Sequence, residues 1–116
     1  MAGYVLSPQA DADLVSIYEY TLTTWGVEQF HVYRKHLENA LSTIATDPML
    51  RGSKARDDIL RGCRFLQVEH HYIVYRLGKY SVEVGRILHE RMHFEQLVGE
   101  DAFGSIKGLA KTHPLS

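Results

Sequence analysis

Cysteine, long apolar runs and an amino-terminal sorting segment are scarce or missing in this sequence of 116 residues. The single cysteine, Cys63, cannot form an internal disulfide, which is typical of the reducing cytoplasm, and we expect a packing role for it. No apolar stretch approaches the roughly eighteen residues of a membrane-spanning helix. The first residues show no basic segment followed by an apolar one, so no signal peptide is predicted. These absences predict a cytoplasmic domain that makes no membrane contact.

Basic side chains are also scarce in the first half of the chain. Residues 1–50 carry two basic side chains against six acidic ones, a balance of −4, whereas residues 51–98 carry nine against six, a balance of +3. Five basic side chains lie between positions 51 and 64 alone. This segment is either a solvated loop or a basic face that meets an acidic partner, protein or nucleic acid.

The first half has the pattern of two amphipathic helices. Ser7 and Pro8 predict a helix start, with serine as the cap and proline at the first helical position. Apolar residues recur at helical spacing through 14–25 and stop at Gly26, and the same period returns through 30–44. One domain of this length with two such segments predicts an antiparallel helical hairpin.

The second half has the pattern of strands. Segments rich in β-branched and aromatic residues predict strands at 63–69, 72–77 and 80–88, in addition to one at 3–7. The intervening residues 48–62 predict a loop with one helical turn. Gly78 and Lys79 predict a two-residue type II′ turn between the last two strands.

These elements predict an α+β fold of order β-α-α-β-β-β. The helical hairpin packs on one face of a mostly antiparallel sheet, and the other face and the edges of the sheet are expected to stay free. The domain is expected over 1–98, and residues 99–116 are predicted to be a flexible or partner-ordered tail.

Residues 89–93 read HERMH and match the H-E-x-x-H motif of zinc peptidases. That motif binds zinc only within a helix, where both imidazoles lie one turn apart. Here the segment directly follows a strand pattern, so His89 is expected at a strand end and His93 at the start of the next segment. We therefore predict no metal site and no cofactor.

Four stretches resemble the ParE-type toxins of bacterial type II toxin–antitoxin modules, in the RelE/ParE superfamily. They read LSPQADADL, WGVEQ, HHYIVYRL and RILHERM, and the resemblance covers about residues 4–98. It implies a toxin that inhibits DNA gyrase, so that the cleaved-DNA complex persists and replication stalls. It also implies a ParD-like antitoxin that wraps the toxin in a hetero-oligomer. No catalytic residues and no sequence-specific binding to nucleic acid are expected.

The alternative is a RelE-like, ribosome-dependent mRNA endonuclease, which needs acid–base chemistry at a phosphodiester. Tyr72 stands where the ribonucleases favour arginine, and no tyrosine follows Tyr80. A substitute acid–base set is still conceivable from Arg76, Arg86, His89, Arg91 and His93.

Candidate contact residues follow from these expectations. Arg64, Arg76 and Arg86 lie on predicted strands. These strand arginines either face outward, where they meet antitoxin carboxylates, or pair internally with Glu69 or Glu83. Trp25 either packs the hairpin on the sheet or anchors the target. His70 and His71 are expected at the surface of a tight turn. The antitoxin-binding candidates are Arg64, Arg76, Arg86, Arg91 and Met92. The target-binding candidates are Trp25, Arg61 and His89.

Overall fold

The computed structural model describes residues 3–103 and confirms the predicted order of helices and strands, with two short additions. The elements are β1 (Tyr4–Leu6), α1 (Pro8–Trp25), α2 (Val27–Thr46), β2 (Lys54–Ala55), β3 (Cys63–Val68), β4 (His71–Leu77), β5 (Val82–His89) and α3 (Phe94–Leu97). The additions are β2 and α3. Across the described range, no helix is long and apolar enough to cross a membrane.

The start of α1 is tied to the sheet by its cap. The Ser7 hydroxyl accepts a hydrogen bond from the Ala10 backbone N–H at 2.9 Å and donates one to the Gly85 carbonyl at 2.7 Å. Gly26, with a φ of 94°, ends α1 and leads into α2. Both predicted helix boundaries are confirmed, and the cap fixes the direction in which the hairpin leaves the sheet.

The strands form one sheet of order β1-β5-β4-β3-β2, in which only β1 and β5 run parallel. The tight turn between β3 and β4 consists of Glu69 and His70, because Val68 pairs with His71. The predicted two-residue turn between β4 and β5 is wrong. There, residues 78–81 form a four-residue connection, because the pairing of β5 with both β1 and β4 begins only at Val82.

One face of the sheet packs under the hairpin, as predicted. The side chains of this first core come from both helices and from strands β1, β4 and β5. They are Leu6, Ala10, Leu14, Ile17, Tyr33, Leu37, Leu41, Ile44, Ile73, Tyr75, Val82, Val84 and Ile87.

The opposite face of the sheet is also covered, and the prediction that it stays free is wrong. A second core joins this face to α3, to the residues that follow it and to the loop before β3. Its members are Val5, Cys63, Phe65, Val74, Leu88, Val98, Ala102 and Phe103, with Ile59, Leu60, Tyr72, Phe94 and Leu97 at its border. The sequence showed no apolar helical period in 94–103. These residues form two separate helical turns, one at 94–97 and one that begins at residue 100, and each is too short to display the period.

This second core carries the packed region past the predicted boundary at residue 98. Ala102 and Phe103 are buried, so the first five residues of the predicted tail belong to the packed region. The remainder of that predicted tail, 104–116, lies outside the described residues.

Because of a bulge at Gly85, β5 contributes side chains to both cores. Val84 pairs with Tyr75 and Arg86 with Val74, so Gly85 is the extra residue between them. The strand alternation therefore changes phase at this point. Val84 and Ile87 both face the hairpin, whereas Leu88 enters the second core.

Candidate functional site

The tip of the helical hairpin projects beyond the sheet. The buried residues of α1 end at Thr21 and those of α2 begin at Tyr33, and all of residues 22–29 are exposed. Trp25 at this tip is 66% exposed, and Leu22 and Val27 are also exposed. Trp25 therefore does not pack the hairpin against the sheet, which leaves the target anchor as its remaining predicted role.

A cleft of about 750 Å³ lies between this tip and the end of the sheet. The helices supply aromatic and apolar side chains together with small polar ones, and the sheet supplies the β3–β4 turn and the last residue of β5. The lining residues are Ser16, Ile17, Tyr20, Thr21, Trp25, Gln29, Tyr33, Glu69, His70, His71 and His89.

His71 and Tyr33 join β4 to α2 at the floor of this cleft. The Tyr33 hydroxyl contacts His71 Nδ1 and donates to the Val68 carbonyl at 3.2 Å. Burial, with a smaller contribution from the neighbouring histidines, lowers the pKa of His71 to about 4, and burial raises the pKa of Tyr33. Both groups are therefore neutral at pH 7. His70 is exposed as predicted, whereas His71 is only partly exposed, because its ring contacts Tyr33 of α2.

Two carboxylates contact neighbours at the β3–β4 turn, and of these Glu69 lines the cleft. Glu69, whose φ is 55°, contacts His36 Nδ1 of α2 through its Oε2 atom. Glu90 Oε2 lies 3.0 Å from His70 Nδ1, and this hydrogen bond lowers the pKa of the Glu90 carboxyl. The turn is thereby held to the hairpin on one side and to the end of β5 on the other.

The three strand arginines are engaged within the chain. Arg76 Nε lies 2.8 Å from Glu83 Oε1, and its guanidinium stacks 4.5 Å from the centre of the Phe103 ring. Arg64 donates to the Ser53 hydroxyl at 2.7 Å. Internal pairing with Glu83, one of the two predicted alternatives, is thus the arrangement found for Arg76.

Arg86 pairs across the edge of the sheet with Asp13 of α1, at 2.9 and 3.1 Å. The same Asp13 carboxylate accepts a hydrogen bond from the Ile87 N–H at 2.9 Å. β1 pairs with β5 only as far as Val84, so the Ile87 N–H lies beyond the parallel pairing. Of the remaining contact candidates, Arg61, Arg91 and Met92 are exposed, and His89 is partly exposed in the lining of the cleft.

Two of the five residues considered for a ribonuclease site, Arg76 and Arg86, are engaged with carboxylates of the chain itself. Arg76 pairs opposite Glu83, and His89 lies six residues farther along β5, which corresponds to about 20 Å. Arg86 is held by Asp13. A shared acid–base centre would need these groups within hydrogen-bonding reach of one phosphodiester.

The HERMH segment consists of the last residue of β5 and the turn that leads to α3. His89 ends β5 and His93 precedes α3, so both predicted positions are confirmed. The helical step that the peptidase motif needs is not formed by these residues. Within 3–103, no group of three or more histidine, cysteine or acidic side chains is placed to hold a metal ion.

Several residues of the cleft were missed in the sequence. Tyr33 belongs to the helical apolar period of 30–44 and is a core residue that also lines the cleft, whereas Glu69 was considered only as a partner for the strand arginines and not as the partner of His36. The lengths of the elements could have indicated that the helices extend beyond the end of the sheet. The helices have 18 and 20 residues, or about 27 and 30 Å, whereas the six- to eight-residue strands β3, β4 and β5 span only about 20–27 Å.

Comparisons with known proteins match nearly all of the described region. The family model of the ParE toxin of type II toxin–antitoxin system, parDE, matches residues 4–94. The chain is 36% identical over 94 residues to Toxin ParE1 of Mycobacterium tuberculosis, covering 80% of this chain and 94% of that protein. It is 37% identical over 100 residues to Toxin ParE1 of Caulobacter vibrioides, covering 85% and 100%.

A solved structure is similar in fold. The chromosomal ParDE TA system from P. aeruginosa aligns with a TM-score of 0.63 at 20% identity, over 77% of this chain and 96% of that one. At this identity the likeness establishes the arrangement of helices and strands.

Proposed function

Because the chain belongs to the ParE toxin family of type II toxin–antitoxin systems, we propose that it stops DNA replication by inhibiting DNA gyrase and that a ParD-like antitoxin neutralises it. The observation that carries the proposal is the extent of the match. Residues 4–94 include both helices of the hairpin and all five strands, so the whole scaffold is shared and not one motif.

We propose inhibition by binding, without a catalytic step. The engagement of two of the candidate acid–base residues supports this, because Arg76 and Arg86 are each held by a carboxylate of the chain itself. The exposed Trp25 is the kind of large, rigid side chain that anchors protein interfaces.

The antitoxin needs a surface other than the one first expected, since residues 94–103 occupy the second face of the sheet. Two exposed regions remain suitable. One is the basic segment at positions 51–64 with the open edge of β2, to which a partner strand can be added. The other is the turn that carries Arg91 and Met92. We propose that a toxin–antitoxin hetero-oligomer forms over these regions.

The test compares DNA and RNA as targets. Purified chain is added to gyrase with relaxed plasmid, and separately to ribosomes stalled on a defined messenger. Loss of supercoiling and accumulation of cleaved plasmid, with the messenger intact, is the expected result. Messenger cleavage at the ribosomal A site, lost in His89→Ala or His93→Ala but retained in His31→Ala, would instead assign a ribonuclease.

A further inference from the structure

The hairpin that overhangs the cleft has an unusual charge pattern. The first 33 residues contain four acidic side chains, Asp11, Asp13, Glu19 and Glu28, and no lysine or arginine. Asp13 is neutralised by Arg86. Glu19 and Glu28 are exposed on the two helices that form the tip. The part of the hairpin before residue 34 therefore carries an acidic excess.

The described lining of the cleft combines aromatic rings with a carboxylate and includes neither lysine nor arginine. Tyr20 and Trp25 are both more than half exposed, so their ring faces are accessible from solvent. Glu69, whose Oε2 atom also contacts His36 of α2, provides the carboxylate on the opposite wall. His71, with a pKa lowered to about 4 mainly by burial, adds no positive charge at pH 7.

Aromatic faces beside a carboxylate are the arrangement that attracts an organic cation. The negative face of a tryptophan or tyrosine ring stabilises a guanidinium or ammonium group, and a carboxylate offers it hydrogen-bond acceptors. The apolar part of the cleft, including Ile17 and the exposed Leu22 nearby on α1, suits aliphatic neighbours of such a group. An acidic side chain of a partner would meet the Glu69 carboxylate here and no lysine or arginine among the described lining residues.

We propose that the cleft is a docking site for a segment of a partner protein that presents an arginine or lysine between apolar residues. The cation lies against the rings of Tyr20 and Trp25 and is paired with Glu69. The inference deepens the proposed function, since it rests on the chain acting through protein contacts, and it gives the partner segment a basic character.

The proposal is tested with short peptides on the intact chain. The probes are Ac-Ala-Leu-X-Leu-Ala-NH2 with X as arginine, lysine, glutamine or glutamate. Trp25 is the only tryptophan, so its fluorescence reports events at the rim of the cleft. We expect saturable binding of the arginine and lysine peptides, at least tenfold tighter than that of the glutamine peptide, and weakening with added salt. Equal affinity for the glutamine peptide, preference for glutamate, or no binding at millimolar concentration would overturn the proposal.

Variants locate the binding. Tyr20→Ala and Glu69→Gln are expected to weaken the arginine peptide at least threefold, whereas Tyr80→Ala, a similarly exposed tyrosine on the β4–β5 connection, is expected to leave it unchanged. Unchanged binding in both cleft variants would contradict the assignment, and melting curves verify that each variant is folded. Gyrase inhibition is measured in parallel without peptide. If that inhibition is present while the peptides do not bind, only the cleft proposal fails.

Discussion

The ring of Phe103 lies directly against Gly85, so closely that a Cβ atom at position 85 would come within 2.7 Å of the ring's Cζ. This contact joins the carboxyl-terminal segment to the bulge of β5, which in turn accepts the Ser7 hydroxyl. We expect Gly85→Ala to lower the free energy of unfolding by about 1–3 kcal/mol, as overpacking of a core does. Urea unfolding measures the loss, and Phe103→Ala in the same chain should remove part of the added cost. If the two substitutions are simply additive, the contact does not exist in solution.

The pair between Asp13 and Arg86 is expected to stabilise the fold. Both side chains are more than four-fifths buried, and Asp13 also holds the N–H of Ile87. Because Asp13→Asn leaves Arg86 as an unpaired, mostly buried charge, we expect a loss of about 3 kcal/mol. Asp11→Asn, at an exposed position of the same helix, is the matched control and should change stability by less than about 0.5 kcal/mol. Equal effects of the two substitutions would show that the edge contact is not formed.

Stability should fall on mild acidification because of His71. Its folded pKa, about 4, lies below the ordinary value of 6.5, mainly because the ring is partly buried. Between pH 6.5 and 4 the unfolded chain binds a proton that the folded chain does not, so folding stability decreases through that window. Since the ring is only about half-buried, we expect a loss of about 1 kcal/mol between pH 7 and 5.

Urea unfolding of the natural chain and of His71→Gln at both pH values measures this loss. The variant should lack it, whereas His31→Gln, at an exposed site on α2, should retain it. The same pH dependence in all three proteins would exclude His71 as the cause.

The arginines should divide into structural and interface residues. Arg76 is largely buried against Glu83 and Phe103, so Arg76→Ala is expected to cost about 2–3 kcal/mol of stability. Arg91→Ala, at an exposed turn, should leave stability within about 0.5 kcal/mol but slow association with the antitoxin in a salt-dependent way. Chemical unfolding and stopped-flow association measure the two effects. If the Arg76→Ala variant keeps its stability but dissociates rapidly from antitoxin, Arg76 is an interface residue and not a structural one.

Trp25 should matter for inhibition and little for folding. Because its side chain is 66% exposed at the hairpin tip, Trp25→Ala is expected to change the free energy of unfolding by less than about 1 kcal/mol. As an interface anchor it should contribute about 2 kcal/mol or more, which corresponds to roughly thirtyfold weaker inhibition of supercoiling or greater. Tyr80→Ala serves as the control. Full inhibition by Trp25→Ala would exclude the tip from the gyrase contact.

The sequence alone determined the order of the main elements and most of the face that each helix buries, although the apolar stripe of α1 continues past Thr21 into the exposed tip. Helical periodicity in 14–25 and 30–44, the cap at Ser7 and the stop at Gly26 are local properties, since each depends on residues a few positions apart. The composition of the strands and the resemblance to the family were also recognisable from the sequence alone. The position of HERMH at a strand end followed from the pattern of the preceding residues.

Only the tertiary structure decided what occupies the second face of the sheet and which charges are paired. The contact of Phe103 with Gly85 and the pair of Asp13 with Arg86 join residues 18 and 73 positions apart, distances at which no periodicity operates. The cleft likewise arises from α1, α2 and the β3–β4 turn meeting at one end of the sheet. Its geometry depends on how far the helices extend beyond the strands, which is set by packing between distant parts of the chain.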